Sequence, residues 1–224
     1  MDKAVHWVTL HPEDVAGHHQ LFSKTDCVVD ARSQRYDDWS LYPAMIEATV
    51  TALVGTHAHY VYVDNLYLYG RPATSQPLNE TAPQQPVSVK GQIRWRVEQR
   101  LMQAMAQHPI TIVRLRDFYA ITTDPLPRTL RWFGPPDLPH QFIHIPDAAQ
   151  AIQWLVEGDL TVGQVWHVAG LDPISGTELR DLARAVSGVK THLRVMGPIT
   201  VRLISLGFPP LGVSSKLNIY GNPH

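Results

Sequence analysis

The chain has 224 residues, enough for one good α/β core, and its 44% hydrophobic and 17% charged content excludes a disordered chain. A formal net charge of -1 gives no field to draw in nucleic acid, and the single cysteine, Cys27, excludes an intramolecular disulfide and fits a reducing compartment. No apolar run is long enough to span a bilayer and no charged-then-apolar signal pattern opens the chain, so the reading is a cytoplasmic protein without membrane or nucleic-acid partners.

In chain order, Ala4 to Leu10 is apolar enough for a strand, and Pro12-Glu13-Asp14 offers a helix start running to about Lys24. Asp26 to Ala31 reads as a strand closing on a carboxylate. Asp37, Asp38 or Ser40 can cap a helix through Leu41, Ala44, Met45, Ala48 and Ala52, with Gly55 at its exit. Tyr60 to Val63 is a β-branched and aromatic strand halted by the polar pair Asp64-Asn65. A proline-rich loop (Pro72, Pro77, Pro83, Pro86) follows Gly70 and is long enough to cover something.

A helix is predicted from about Val87 to His108, with Ile93, Val97, Leu101, Ala104 and Met105 on one face and Pro109 stopping it. Its cations Lys90, Arg94, Arg96 and Arg100 form a solvated or site-facing side, not a phosphate-tracking stripe. Ile110 to Leu115 is a strand ending in Arg116-Asp117-Phe118-Tyr119. Thr122 to Gln141 reads as irregular because of five prolines, Pro125, Pro127, Pro135, Pro136 and Pro139. Phe142 to Ile145 is a short strand, Pro146-Asp147 starts a helix through Ala148, Ala151, Ile152, Leu155 and Val156, and Gln164 to Val168 is another strand. Ser175-Gly176-Thr177-Glu178 is a capping box opening a helix to Gly188. A short strand at His192 to Val195 and a short helix at Ile199 to Leu206 complete the chain.

Strands alternating with helices imply a parallel sheet with right-handed crossovers, so the ends Asp30-Ala31, Asp64-Asn65 and Asp117-Phe118-Tyr119 share one edge, where such sheets bind ligands. Lys90, Arg94 and Glu98, each four apart, share one helix face beside them. Among the 12 histidines the closest sets, His57-Ala58-His59 and His18-His19, lack a third ligand at matching spacing, so no metal site is read. No G-x-S-x-G elbow and no Walker lysine loop occurs, which leaves a hydrolase without a nucleophile and a triphosphatase without its phosphate loop.

The run Val61-Tyr62-Val63-Asp64-Asn65-Leu66-Tyr67-Leu68-Tyr69-Gly70, then Leu78-Asn79-Glu80-Thr81-Ala82-Pro83, then Lys90-Gly91-x-x-Arg94-x-x-x-Glu98, resembles the NAD(P)-dependent epimerase/dehydratase family of extended short-chain dehydrogenase/reductases. Arg114-x-x-Asp117-Phe118-Tyr119 looks like that family's strand-end Arg-x-x-Asn motif, and Phe142 to Asp147 resembles its lead into a substrate-domain helix. The resemblance implies an α/β, Rossmann-like parallel sheet over 1–121 and a mainly substrate-binding region over 122–224, with 142–168 returning to the core.

It implies NAD or NADP as cofactor, a small-molecule or nucleotide-sugar-like substrate, redox or epimerisation at a carbinol, and a homodimer formed through the helices flanking the Asn65 strand. The family's serine or threonine falls on Asn65, its tyrosine acid/base on Lys90 and its ribose-binding lysine on Arg94, so the whole trio is replaced. Asp30, Ala31, Asp64, Arg94, Asp117, Phe118 and Tyr119 would face the cofactor; Tyr67, Tyr69 and His144 would line the substrate pocket; Trp132 to His144 would form part of a lid.

Lys90, one turn from the permanently charged Arg94, would either shuttle a proton or anchor a ligand. No glycine-rich turn such as G-x-G-x-x-G is present, and Ala4 to Leu10 looks like the family's third strand, so the sheet is expected to be N-terminally truncated. That implies impaired chemistry, weak dinucleotide binding and an exposed strand edge. The rival reading is a non-catalytic dinucleotide-binding or sensor protein that kept the fold and lost the trio.

Overall fold

The computed structural model describes residues 5–34, 39–70, 78–119, 128–158 and 161–197, without the side chains of Tyr119 and Phe133. The proposed caps Asp37 and Asp38, the prolines Pro72, Pro77, Pro125 and Pro127, and the helix proposed at Ile199 to Leu206 lie outside these residues. Contacts divide the chain into two units, one of 1–115 with 150–168 and one of 116–149 with 169–224.

The first unit holds four parallel strands, β1 (Cys27–Asp30), β2 (His59–Asp64), β3 (Ile110–Leu115) and β7 (Val165–Val168), in the order β1-β2-β3-β7. All six residues of β3 are buried, as a central parallel strand requires. The register sets Asp30 beside Tyr62, Asp64 beside Arg114, and Arg114 beside His167. Helices α2 (Tyr42–Leu53) and α3 (Val89–Ala104) bury Tyr42, Met45, Ile46, Val50, Leu53, Val97 and Leu101 against Tyr60, Tyr62, Ile110 and Ile112. Each such side chain contributes about 1.5–3 kcal/mol by leaving water.

Local chemistry sets the helix ends. Pro43 pre-sets the backbone at the start of α2, where Leu41 occupies the cap without a side-chain bond. Helix α1 (Val15–Phe22) is capped by Asp14, whose carboxylate accepts from the Gly17 amide at 2.9 Å. Ser88 accepts from the Gly91 amide at 3.0 Å and starts α3. Gly91 is required there, because a Cβ would sit 2.5 Å from the carbonyl oxygen of Tyr67 in the 3₁₀ turn Tyr67–Tyr69.

The strand expected at Ala4 to Leu10 does not form: residues 5–10 lie outside any regular element, with Val5 and Val8 exposed and Trp7 94% exposed. A strand is held by its ladder, and none of the described strands offers residues 5–10 a partner. The outer edge of β1 is unpaired among the described strands, with Val29 exposed, in line with the expected open edge.

In the second unit β4 (Asp117–Tyr119) pairs in parallel with β6 (Phe142–His144), and β5 (Thr129–Phe133) with β8 (His192–Met196). β5 corrects the reading of Thr122 to Gln141 as irregular. Its residues Thr129, Leu130, Trp132 and Phe133 favour a strand, and the prolines flank it instead of interrupting it. Trp132 is buried with its indole N–H donating to the Pro135 carbonyl at 3.0 Å. Helix α5 (Gly176–Ser187) opens with the predicted capping box and closes on Gly188 at φ +66°. Helix α4 (Ile145–Glu157) is divided between the two units.

Candidate functional site

The carboxyl ends of β2 and β3 and the inner face of α3 meet in a buried ionic cluster. Arg94 Nη1 donates to Asp64 Oδ1 at 3.0 Å, to the Tyr42 hydroxyl at 2.7 Å and to the Tyr62 hydroxyl at 2.8 Å. The two phenols also hydrogen-bond to each other at 2.8 Å. The guanidinium lies over two neighbouring aromatic rings, its Cζ 4.8 Å from the Trp39 centroid and 4.6 Å from that of Tyr42. One turn along α3, Glu98 accepts from Arg114 Nε at 3.0 Å and from its Nη2. Four charges of alternating sign are thereby taken out of water together.

Burial pushes the Asp64 carboxyl up to about 6, outweighing the opposing pull of Arg94 and of the Asn65 amide that donates to Oδ1 at 2.7 Å. Burial likewise raises Tyr42 to about 12, and Tyr62 well above its ordinary value. Both phenols therefore keep their protons at neutral pH.

The predicted residues divide among different partners. Asn65 is half-buried, and its side-chain oxygen accepts from the Tyr67 amide at 2.9 Å, so it caps the 3₁₀ turn. Lys90 lies in the first turn of α3 with Nζ 5.3 Å from the Trp39 centroid. Tyr67 is exposed. Tyr69 is buried, with its hydroxyl against the Asn79 carbonyl at 3.0 Å, His167 Nε2 at 2.7 Å and Arg114 Nη1. Asp30 is bound by Arg32, whose Nε donates at 2.9 Å, and by the Tyr60 hydroxyl. Burial would raise the Asp30 carboxyl, but Arg32 overrides it and holds the group below the usual carboxylate range. Ala31 is exposed beside it.

Asp117, Phe118 and Tyr119 do not end β3 but form β4 of the second unit, where Tyr119 pairs with His144 of β6. His144 Nδ1 lies 3.6 Å from Asp147 Oδ1. The first unit thus brings together Asp64, Asn65, Lys90, Arg94, Tyr67 and Tyr69, while Asp117, Phe118, Tyr119 and His144 belong to the second.

Sequence reasoning gave no site role to Trp39, Tyr42, Tyr62, Arg114, Glu80 or His167, although Tyr62, Glu80 and Arg114 stand in the motifs that carry the resemblance. The Arg94-x-x-x-Glu98 spacing was the available signal, since a carboxylate one turn from a buried cation calls for a second cation, and Arg114 stands in the neighbouring strand. Glu80 accepts from the His167 backbone amide at 2.7 Å and Gln84 donates to Glu98 at 2.8 Å, which ties residues 79–84 to the same cluster.

The parallel sheet, with its polar strand ends beside a charged helix face, has counterparts among solved structures. A putative epimerase from Burkholderia cenocepacia superposes with a TM-score of 0.72 at 15% identity, covering 84% of this chain and 68% of that one. The dTDP-glucose 4,6-dehydratase of Bacillus anthracis, in complex with NAD, matches at 0.73 and 14%, covering 85% and 67%. The UDP-glucose 4-epimerase of Thermotoga maritima, with UDP-glucose, matches at 0.69 and 16%, covering 84% and 70%. The fold is that of the NAD-dependent epimerases and dehydratases, and the chain spans about two thirds of their length. Neither a family model nor a curated protein matches the sequence.

Among the described residues expected at NAD(P), Asp30 is bound by Arg32 and Tyr60 and Arg94 Nη1 serves three acceptors, and no glycine-rich turn that would cradle a pyrophosphate follows a strand there. The described residues contain no cluster of metal-binding side chains, and none of their helices is long and apolar enough to cross a membrane.

Proposed function

We propose that this chain is a non-catalytic ligand-binding protein built on the epimerase/dehydratase fold. The observation that carries the reading is Arg94. At the position of the family's ribose-binding lysine, it is locked to Asp64, Tyr42 and Tyr62 beneath Trp39. Of the two phenols on the neighbouring turn, Tyr69 is buried and committed to Arg114, and Tyr67 is exposed with its amide donating to Asn65. Hydride transfer needs a positioned acid/base within reach of the carbinol, and the buried phenols here are held by Arg94 and Arg114.

The test is NAD(P)H oxidation, and the reverse reduction, against a panel of nucleotide sugars and ketones. The expected outcome is no turnover above background. Turnover that Lys90→Met abolishes would overturn the reading.

A second reading, NAD(P)-dependent redox or epimerisation of a nucleotide-sugar-like substrate, draws on structural neighbours that hold NAD or NADPH. Its mark would be saturable NAD(H) binding by calorimetry. A homodimer through α2 and α3 is proposed by the same analogy, with light scattering as its check.

A further inference from the structure

We infer that Arg94, Lys90 and Trp39 form a site for a compact oxyanion, a phosphate or carboxylate group. The inference rests on the ligand-binding reading above and names the ligand's chemistry. Every hydrogen bond Arg94 makes among the described residues leaves from Nη1. The other edge of the guanidinium, Nε with Nη2, donates to nothing there, and Nε is buried. That edge presents two parallel N–H bonds, the fork that matches the two oxygens of a carboxylate or phosphate. The side chain is 5% exposed, and its contacts with the Trp39 and Tyr42 rings and with Asp64 hold the guanidinium in place.

Two more groups of the same polarity stand beside it. The Trp39 indole N–H is buried without a partner among the described residues, and an indole can only donate. Lys90 adds a positive charge against the same ring, one turn earlier on α3. A cluster of donors calls for an acceptor-only ligand. A ribose, whose hydroxyls must also donate, is the poorer match. The opposing element is Asp64, whose Oδ2 has no hydrogen-bond partner among the described residues. Its contact with Arg94 is made through Oδ1 at Nη1, not at the fork. Glu98 is already neutralised by Arg114.

The experiment is calorimetric titration of the full chain with inorganic phosphate and, separately, acetate at constant ionic strength, with tryptophan fluorescence followed in parallel. The expected result is saturable binding of at least one oxyanion, weakened about tenfold in Lys90→Met and several-fold in Trp39→Phe, which keeps the ring and loses the donor. Circular dichroism confirms that both variants fold. Arg94→Lys, which keeps the charge without the fork, should bind more weakly still where it folds. No saturable binding of either ion by the wild-type chain, or binding unchanged in both Lys90→Met and Trp39→Phe, overturns the assignment. Turnover with NAD(P)H alongside oxyanion binding would sink the non-catalytic reading and leave this site standing; absence of both would do the reverse.

Discussion

Asp64 and Arg114 lie side by side at the ends of neighbouring strands, and each takes its counter-ion from the same helix, Asp64 from Arg94 and Arg114 from Glu98 one turn later. Two register partners of opposite charge therefore do not neutralise each other alone. They fasten α3, the helix bearing Lys90, to the carboxyl ends of β2 and β3.

Breaking one half of that cluster should be costly. Glu98→Gln leaves Arg114 buried with a neutral partner and is expected to destabilise the chain by about 3–5 kcal/mol in urea unfolding. Replacing both, Glu98→Leu with Arg114→Met, should recover most of the loss, because no uncompensated charge remains. A double variant as unstable as the single would show that packing, not charge, dominates here.

The buried carboxylates give a signed pH dependence. Asp64 titrates at about 6 when folded against an ordinary 3.8, so between those values the folded chain holds a proton that the unfolded chain releases. Its contribution therefore falls as pH rises through that window, by up to about 3 kcal/mol. Asp30 acts in the opposite sense. Its folded carboxyl lies below the usual value, so its contribution is present above 3.8 and lost as pH falls further. Asp64→Asn should flatten the stability profile between pH 4 and 6, while Asp30→Asn should soften acid unfolding below pH 4, both read by thermal melts across pH.

Much of this was legible in the sequence. The alternation of Val61 and Val63 with aromatic residues located β2, the helical repeat of Val97, Leu101 and Ala104 located the buried face of α3, and Ser175 with Glu178 located the start of α5. Two elements escaped for different physical reasons. Residues 5–10 have the composition of a strand, but a strand is a property of a pair, and composition does not report a missing partner. β5 was hidden because prolines were counted over a long stretch instead of being placed at its two ends. At the site, the spacing of Lys90, Arg94 and Glu98 put them on one face of α3, yet the exchange of partners among Arg94, Asp64, Arg114 and Glu98 depends on register between β2 and β3. A one-residue slip would have moved Arg114 to the other face of the sheet.

Gly70 should tolerate no side chain. Its φ is +67°, and a Cβ would sit 1.9 Å from the Gln85 carbonyl oxygen, where the chain closes an isolated bridge between Gly70 and Gln85. Backbone must move to admit even alanine, so Gly70→Ala is expected to lose about 2 kcal/mol or more, combining a disfavoured conformation with a displaced bridge. Thermal unfolding would show it; a Tm within a degree or so of wild type, the scale of a few tenths of a kcal/mol, would contradict this local geometry.

Tyr69 offers a test of how residues 79–84 are held. Its hydroxyl meets the Asn79 carbonyl, His167 and Arg114 at one point, and its backbone carbonyl accepts from the Gln85 amide at 3.3 Å. Tyr69→Phe keeps the ring, which packs 5.0 Å from the Arg114 guanidinium and 5.4 Å from the His167 ring, and removes only the oxygen. Three polar groups then lose a shared partner, a loss of about 1–3 kcal/mol. Because Arg114 also donates to Glu98, the guanidinium keeps its place, and the damage should concentrate on the strap. Hydrogen exchange would locate it: the Ala82 amide, bonded to the Asn79 carbonyl at 3.1 Å, should lose protection while the Ile112 amide, bonded to Gln164 at 3.0 Å, stays unchanged. Equal loss at both amides would mean that Tyr69 supports the whole sheet and not residues 79–84 in particular.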